Sequence, residues 1–282
     1  MSVLTVTAPA KINLFLEVDG KRPDGYHEIT TVMQTVSLAD RLTFEKKAGK
    51  EISLSCTDPR LSCGKDNLIV RAAEAFFSLT GERFGLKITL DKKIPMQAGM
   101  GGGSADAAAT LLALASLSGK KPTEKELLSL AASLGADVPF CLTRGARLCT
   151  GIGEKMVPVP AMPDCFLVAA IKAGDAVSTA EAYRRIDALS YLPRPVGPVT
   201  EALETGSLSL LSERLFNRFG QIAPSYARGE AILRGHGAKS VLLCGSGAAF
   251  FGIFENEHDA GEAKRDLVLT GYAAWEMRPV RE

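Results

Sequence analysis

No apolar run in this 282-residue chain approaches the length of a bilayer span, and the N-terminal MSVLTVTAPAKI lacks the apolar core of a signal peptide. The expected location is the cytoplasm, with no membrane association. A charge imbalance is also missing. With 33 Lys and Arg against 32 Asp and Glu, nothing marks a nucleic-acid partner or an acidic lipid surface. The six cysteines include no CxxC pair, which argues against a zinc site, any other metal site of that kind, or a disulfide framework. Cys141, Cys165 and Cys244 lie in apolar runs and read as small core residues with reduced thiols. There is no internal repeat and no low-complexity segment. What is present is the composition of a soluble globular protein, 46% apolar and 23% charged, with enough chain for one large domain or two ordinary ones.

The most informative stretch is 94–109, IPMQAGMGGGSADAAA. Before it, residues 84–91 alternate, with Leu86, Ile88 and Leu90 against Lys87 and Thr89, and predict a strand. After it, residues 106–118 are rich in Ala and Leu and predict a helix. Between them Gly99, Gly101, Gly102 and Gly103 lack Cβ atoms and let the backbone approach a ligand, and Ser104 stands as the expected N-cap. A glycine turn that opens a helix presents free N–H groups, an anion site suited to phosphate. No Lys-Ser/Thr follows the last glycine, which excludes a Walker A loop. No acidic residue closes a second strand about 20 residues on, as a dinucleotide fingerprint requires. The competing reading is a mere connector, which would not need so many entropy-costly glycines.

Elsewhere strands are expected at 3–7 and 12–18, separated by Ala8-Pro9-Ala10-Lys11, and at 30–36, 41–46 and 51–55. Residues 67–79 predict a helix capped by Asp66, and 123–134 a helix whose Thr123 and Glu126 make a capping box. Glycine-punctuated strands follow at 145–153 and 154–159. The PAMP linker at 160–163 precedes an apolar strand at 164–172 and marks a second domain. That half adds a helix at 178–189 with Ser178 and Glu181 as a second capping box, a proline-rich loop at 191–198 and a helical stretch reaching 235. Strands at 239–244 and 248–254 flank Gly245-Ser246-Gly247, before a helix at 257–269 and a strand at 272–277. The interleaving predicts an α+β fold.

Four groups of residues each carry two readings. Lys11 and Asn13 at a strand entrance are a functional cation with its neighbour, or a solvated charge. Tyr26-His27, directly after the Pro23-Asp24-Gly25 turn, can stack on a base and hydrogen-bond it, or can simply start a strand. Asp137 is a lone carboxylate in an apolar segment, either a catalytic acid/base or the cap of a short helix beginning at Val138-Pro139. Gly245-Ser246-Gly247 brings backbone close to a ligand or to the first domain, or is a plain hairpin turn.

Three stretches in order, Ala8-Pro9-Ala10-Lys11-Ile12-Asn13, 95–105 (PMQAGMGGGSA) and 243–247 (LCGSG), resemble the GHMP kinase family. The segments RPDGYH (22–27), DNLIVRA (66–72), GADVP (135–139) and GIGE (151–154) are more narrowly similar to one branch of it. That branch phosphorylates 4-diphosphocytidyl-2-C-methyl-D-erythritol in the non-mevalonate isoprenoid pathway. The resemblance implies a two-domain α+β kinase. Residues 1–160 would form a ribosomal S5 domain 2-like N-terminal domain, and 161–282 a ferredoxin-like C-terminal domain. It implies transfer of the ATP γ-phosphate, with Mg²⁺, to the substrate 2-hydroxyl, by a monomer or weak homodimer. Matched by motif, Asp137 is the acid/base and Lys11 its cationic partner. Pro95, Met96, Gln97, Ala98, Gly99, Met100, Gly101, Gly102, Gly103, Ser104 and Ala105 form the ATP-phosphate loop. Asn67 and Lys92 lie near adenine. Asn13, Tyr26, His27, Thr179 and Tyr183, with Asp137, contact the substrate, Tyr26 and His27 at the cytosine.

Two departures accompany the likeness. The family's Gly-Leu-Gly-Gly-Gly-Ser-Ser reads Gly99-Met-Gly-Gly-Gly-Ser-Ala105, which leaves Ser104 as the only hydroxyl. Its Asn-Asp-Leu-Glu reads Asn217-Arg-Phe-Gly220, which keeps Asn217 as a structural residue and loses both carboxylates. Rival readings are a homoserine or mevalonate kinase, whose substrates offer no base to Tyr26-His27, and a non-catalytic nucleotide- or RNA-binding protein, which the missing basic stripe disfavours.

Overall fold

The computed structural model describes residues 2–172, 174, 178–223 and 226–281. The chain divides into two compact units. The first comprises Met1–Ala10, Ala39–Met96 and Gly101–Thr143, and the second Lys11–Leu38, Gln97–Met100 and Arg144–Glu282. Strands β1 (Val3–Lys21) and β2 (His27–Lys47) are long enough to contribute to both. The breaks expected after residues 7 and 36 do not occur. Ala8 and Ala10 are fully buried, and Lys11 and Asp40 are buried with polar partners, so these small and polar residues stay inside the strands.

In the first unit, the C-terminal half of β2 runs antiparallel to β4 (Gly85–Asp91), with Arg41 opposite Asp91. The short β3 (Ile52–Cys56) joins β4 in parallel, Ile52 opposite Leu86. The helices are α1 (Leu68–Thr80), α2 (Gly102–Leu117), α3 (Glu124–Leu134) and α4 (Val138–Thr143); α1 and α4 each pack on α2 and α3. Helix α2 is apolar nearly all round, and every residue from Ala105 to Leu111 is buried. Its start differs from the expected one. Gly101 takes the N-cap position at φ 71°, so the helix begins inside the glycine run and Ser104 is its third residue rather than its cap. The cap of α1 is Asn67, not Asp66: Asn67 Oδ1 accepts from the Ile69 N–H at 2.8 Å. The α3 capping box is complete, with Thr123 and Glu126 each accepting from the other's N–H.

In the second unit, the N-terminal half of β2 pairs antiparallel with β5 (Ala146–Thr150), which pairs with β6 (Lys155–Pro158). Strand β1 pairs in parallel with a two-residue β8 (Phe216–Asn217). A separate antiparallel sheet has the order β11-β7-β10-β9, built from β7 (Phe166–Lys172), β9 (Ser240–Leu243), β10 (Phe250–Phe254) and β11 (Tyr272–Met277). Its first strand is central and its last is at the edge, the ferredoxin-like order. Among the described residues its α-helices are α5 (Thr179–Asp187), α6 (Gly197–Thr205), α7 (Leu208–Arg214), α8 (Ala227–Gly235) and α9 (Glu257–Leu269). Leu233 of α8 and Ala260, Ala263 and Leu267 of α9 close the core against Val168, Phe250 and Phe254. The second capping box is half formed. Ser178 accepts from the Glu181 N–H, but the Glu181 carboxylate turns to Arg184 and Arg185. Residues 224–225 of the expected helical stretch lie outside the described residues. Among the described residues no helix is long and apolar enough to cross a membrane.

Candidate active site

In the second unit, Lys11 lies on β1 and is 4% exposed. Its Nζ donates to Asn13 Oδ1 at 2.9 Å, Asn13 Nδ2 donates to Thr31 Oγ1 at 2.8 Å, and the Thr31 hydroxyl donates to the Phe15 carbonyl at 2.6 Å. This chain fixes both side chains, and the solvated reading of Lys11 does not hold. The Lys11 N–H donates to the Met100 carbonyl at 3.0 Å, which ties β1 to the loop segment Gln97–Met100. That segment lies against the 245–247 turn, backbone to backbone. A Cβ on Gly99, at φ +75°, would stand 1.9 Å from the Cys244 carbonyl oxygen. A Cβ on Gly245 would stand 2.8 Å from the Gly99 oxygen and 3.4 Å from Lys11 Nζ. The Gly-Ser-Gly segment is therefore a close-approach turn as well as a hairpin. Cys244 beneath it is fully buried, and burial pushes its thiol up to about 12 although the Lys11 ammonium pulls the other way. Asn217 fixes the turn, donating to the Leu243 and Gly245 carbonyls at 2.9 and 2.8 Å and accepting from the Phe219 N–H. This is the structural role its surviving place in the departed motif implies.

The same unit holds the expected substrate residues other than Asp137. Thr179 Oγ1 lies 3.3 Å from Ser246 Oγ. The ring of His27 stacks on Tyr183, with centroids 4.5 Å apart and an interplanar angle of 20°, and Tyr183 in turn meets Phe219 edge-on at 5.0 Å. Tyr26 is 61% exposed at the end of the predicted turn, which Arg22 and Tyr26 close with a backbone hydrogen bond.

In the first unit, the N–H groups of Gly102, Gly103 and Ser104 open α2 with no helical acceptor of their own, and the first turn carries no acidic residue. Gly103 is exposed, and Leu68, first residue of α1, comes nearest to the place a Cβ there would take. Both ends of the neighbouring Asn67 amide are engaged, Oδ1 as the helix cap and Nδ2 with the Ser62 carbonyl. Lys92 is not a free cation. Its ammonium sits between the Asp40 and Asp106 carboxylates, the latter at 3.0 Å, and its side chain is 5% exposed. Asp40 accepts from the Lys93 and Ile94 N–H groups at 2.6 and 2.8 Å, which anchors the chain entering the loop. Burial pushes the Asp106 carboxyl up to about 7, against the pull of Lys92 and with the push of Asp40. Asp137 is half-buried at the position before α4, where its carbonyl accepts from the Cys141 N–H at 3.1 Å.

Residues 67–145 match the GHMP kinases N terminal domain, and residues 199–273 match the GHMP kinases C terminal domain. A protein of Desulfitobacterium hafniense, a 4-diphosphocytidyl-2-C-methyl-D-erythritol kinase, is 43% identical over 276 residues, covering 95% of this chain and 93% of its own. The chain belongs to the GHMP kinase family. A crystal structure of 4-(cytidine 5'-diphospho)-2C-methyl-D-erythritol kinase superposes with a TM-score of 0.79 at 35% identity, over 98% of this chain and 99% of the other. The two-domain α+β expectation is thus met. The homoserine kinase of Cytophaga hutchinsonii reaches a TM-score of 0.77 at 18% identity and shares the fold. GHMP kinases are ATP-dependent small-molecule kinases, and this chain is one of them.

Polar partners in three clusters of this GHMP kinase escape the sequence reading. Asp187 on α5 bonds His27 from 160 residues away, with no local signal. Asp40 and Asp106 enclose Lys92. Glu17, fully buried on β1, forms a two-pronged ion pair with Arg218, Oε1 to Nε at 2.7 Å and Oε2 to Nη2 at 2.6 Å. The Arg218 guanidinium also lies 3.9 Å over the Tyr191 ring. A signal for Glu17 existed, an acid amid the apolar residues of β1.

Proposed function

We propose that this GHMP kinase transfers the γ-phosphate of ATP to the 2-hydroxyl of 4-diphosphocytidyl-2-C-methyl-D-erythritol, as a cytoplasmic enzyme, monomeric or weakly dimeric. The observation that carries the reading is His27 stacked on Tyr183 and followed back along the chain by an exposed Tyr26: an imidazole edge to hydrogen-bond a pyrimidine and a free ring to stack on it, which a homoserine or mevalonate enzyme would not need. The near full-length likeness to kinases of that substrate supports it. The two matched domain segments, 67–145 and 199–273, fall on either side of a boundary at residue 160, in keeping with domains of 1–160 and 161–282.

ATP supplies the phosphoryl group. The amides of Gly101, Gly102, Gly103 and Ser104 would receive its phosphates at the start of α2, and Pro95–Met100 and Ala105 would shape the loop around them. Asn67 and Lys92 would border adenine through shape, since their own polar groups are engaged within the protein. Phosphoryl transfer asks mainly for positioning and charge stabilisation. Lys11, held by Asn13, would stabilise the developing alkoxide, and Asp137 would accept or orient the hydroxyl proton. Thr179, Tyr183, Tyr26 and His27 would hold the substrate. Among the described residues no group of three or more His, Cys, Asp or Glu stands ready for an ion. Ser104, the one hydroxyl of the loop, is the side chain there that would help hold Mg²⁺, which would supply positive charge to offset that of the phosphates.

The test is ATP consumption with the cytidine substrate, homoserine and mevalonate side by side. Turnover with the first alone is expected, and turnover with either of the others instead would overturn the assignment. Asp137→Asn then separates chemistry from capping. Asn caps as well as Asp, so the melting temperature should hold while kcat falls by roughly 10²–10⁴. A wild-type kcat would leave Asp137 a cap only.

A further inference from the structure

His27 opens β2, and Asp187 ends α5. His27 Nε2 lies 2.6 Å from Asp187 Oδ1, and Lys21 Nζ donates to Oδ2 of the same carboxylate at 2.8 Å. Tyr183, on which His27 stacks, stands four residues before Asp187, so one face of α5 delivers both partners of the imidazole. The arrangement constrains the ring in two ways. Stacking on Tyr183 covers one face, and with its side chain 8% exposed the ring can meet a ligand only along an edge. An ionised carboxylate only accepts, so the proton of the neutral imidazole must sit on Nε2 and the lone pair on Nδ1. Asp187 stays ionised: hydrogen bonds from Lys21 and then His27 hold its carboxyl below the usual range. Nδ1 makes no hydrogen bond among the described residues.

We infer that Asp187 is a positioning residue that fixes His27 as the Nε2–H tautomer, so that Nδ1 is an acceptor reserved for an exocyclic amino group and the enzyme takes cytosine in preference to uracil. The inference rests on the reading that His27 faces the substrate base. Cytosine turns an amino donor toward such an acceptor. Uracil has a carbonyl oxygen at the same position, which would leave two acceptors opposed. A site built around one hydrogen bond rejects the analogue lacking it far more strongly than a pocket rejects a change of shape. Lys21 holds the second carboxylate oxygen and so keeps Asp187 from turning away.

The experiment pairs spectroscopy with kinetics. The chain has three histidines, so ¹⁵N-histidine labelling gives resolvable imidazole signals, with His27 assigned by its loss in His27→Ala. The wild type should show His27 as Nε2–H and Asp187→Ala a mixture of tautomers. With the cytidine substrate and its uridine counterpart, Asp187→Ala should lower the cytidine preference by about tenfold or more, through KM rather than kcat. Asp187→Asn, whose amide can turn an N–H toward Nε2 and admit the other tautomer, should fall between. A wild-type ring protonated on Nδ1 would overturn the inference. So would an unchanged cytidine preference in both Asp187 variants while His27→Ala raises KM, which removes the assignment to Asp187 and keeps the base reading. Wild-type KM in His27→Ala would overturn the base reading itself, and the inference with it.

Discussion

Gly103→Ala should make this enzyme more stable and worse at binding ATP, and the opposite signs are what make the change useful. A Cβ on Gly103 would meet only Leu68 Cδ1, at an ordinary 3.5 Å, and the residue lies exposed in the first turn of α2. Alanine in a helical conformation reduces the freedom of the unfolded chain and stabilises by up to about 1 kcal/mol. For a protein of this size that raises the melting temperature by roughly 2–4 °C. The same methyl would stand where the phosphates are proposed to reach the helix amides, and a loss of about 1.4 kcal/mol there is tenfold in Kd. Thermal melting and calorimetric titration with ATP read the two effects separately. Other loop glycines cannot separate them. A Cβ on Gly102 would lie 2.9 Å from Lys92 Nζ and 3.0 Å from Ile94 Cγ2, so a bulky Gly102→Val disturbs the packing as well as any ligand. Gly99→Ala would collide with the Cys244 carbonyl and should unfold the turn. A Gly103→Ala protein with a raised melting temperature and unchanged ATP affinity would refute the phosphate role of the loop.

The buried Asp106 predicts a pH effect on stability. With its carboxyl raised from 3.8 to about 7, the folded state holds a proton that the unfolded state releases, so stability is greatest below pH 3.8 as far as this group goes and falls as pH rises toward 7. The full effect is about 4 kcal/mol at most. Urea titrations from pH 4.5 to 8 should show the slope flattened in Asp106→Asn, and an equal slope in both proteins would refute the assignment. Glu17→Ala strands a buried guanidinium and should cost about 3–5 kcal/mol in urea denaturation, with most of it recovered in Glu17→Leu with Arg218→Met. A loss under about 1 kcal/mol would mean that water reaches Arg218.

Features decided within a few residues were legible in the sequence. The capping box at Thr123 and Glu126, the turn at 22–26 and the alternation of β4 all depend on neighbours along the chain. Errors of one to four residues arose where two local solutions compete, as between Asp66 and Asn67 for the cap of α1, or between Ser104 and a left-handed Gly101 for the start of α2. The unbroken β1 and β2 could not be read, because Lys11 and Asp40 look like interruptions until their partners are known. Asn13 is close in sequence, but the Lys92 ammonium lies 52 residues from Asp40. The same holds for the site. Motif order located the glycine loop and the turn at 245–247, whereas Asp187 and Arg218 reach their partners across 160 and 201 residues, where spacing carries no information.

The Glu17–Arg218 pair also bears on how such a chain can change over generations. The family's usual acid at the position of Arg218 would face Glu17 as a like charge, and an apolar residue at 17 would face Arg218 as a void in its solvation. Either exchange alone passes through a state poorer by about 3–5 kcal/mol, a large part of the 5–15 kcal/mol that holds a domain folded. The two positions are therefore bound to a common fate, and drift at one is gated by drift at the other. Relatives with an acid at 218 should carry a residue other than an acid at 17, and chimaeras that join residues 1–21 of one lineage to 200–282 of another should fail at this pair before they fail at the loop.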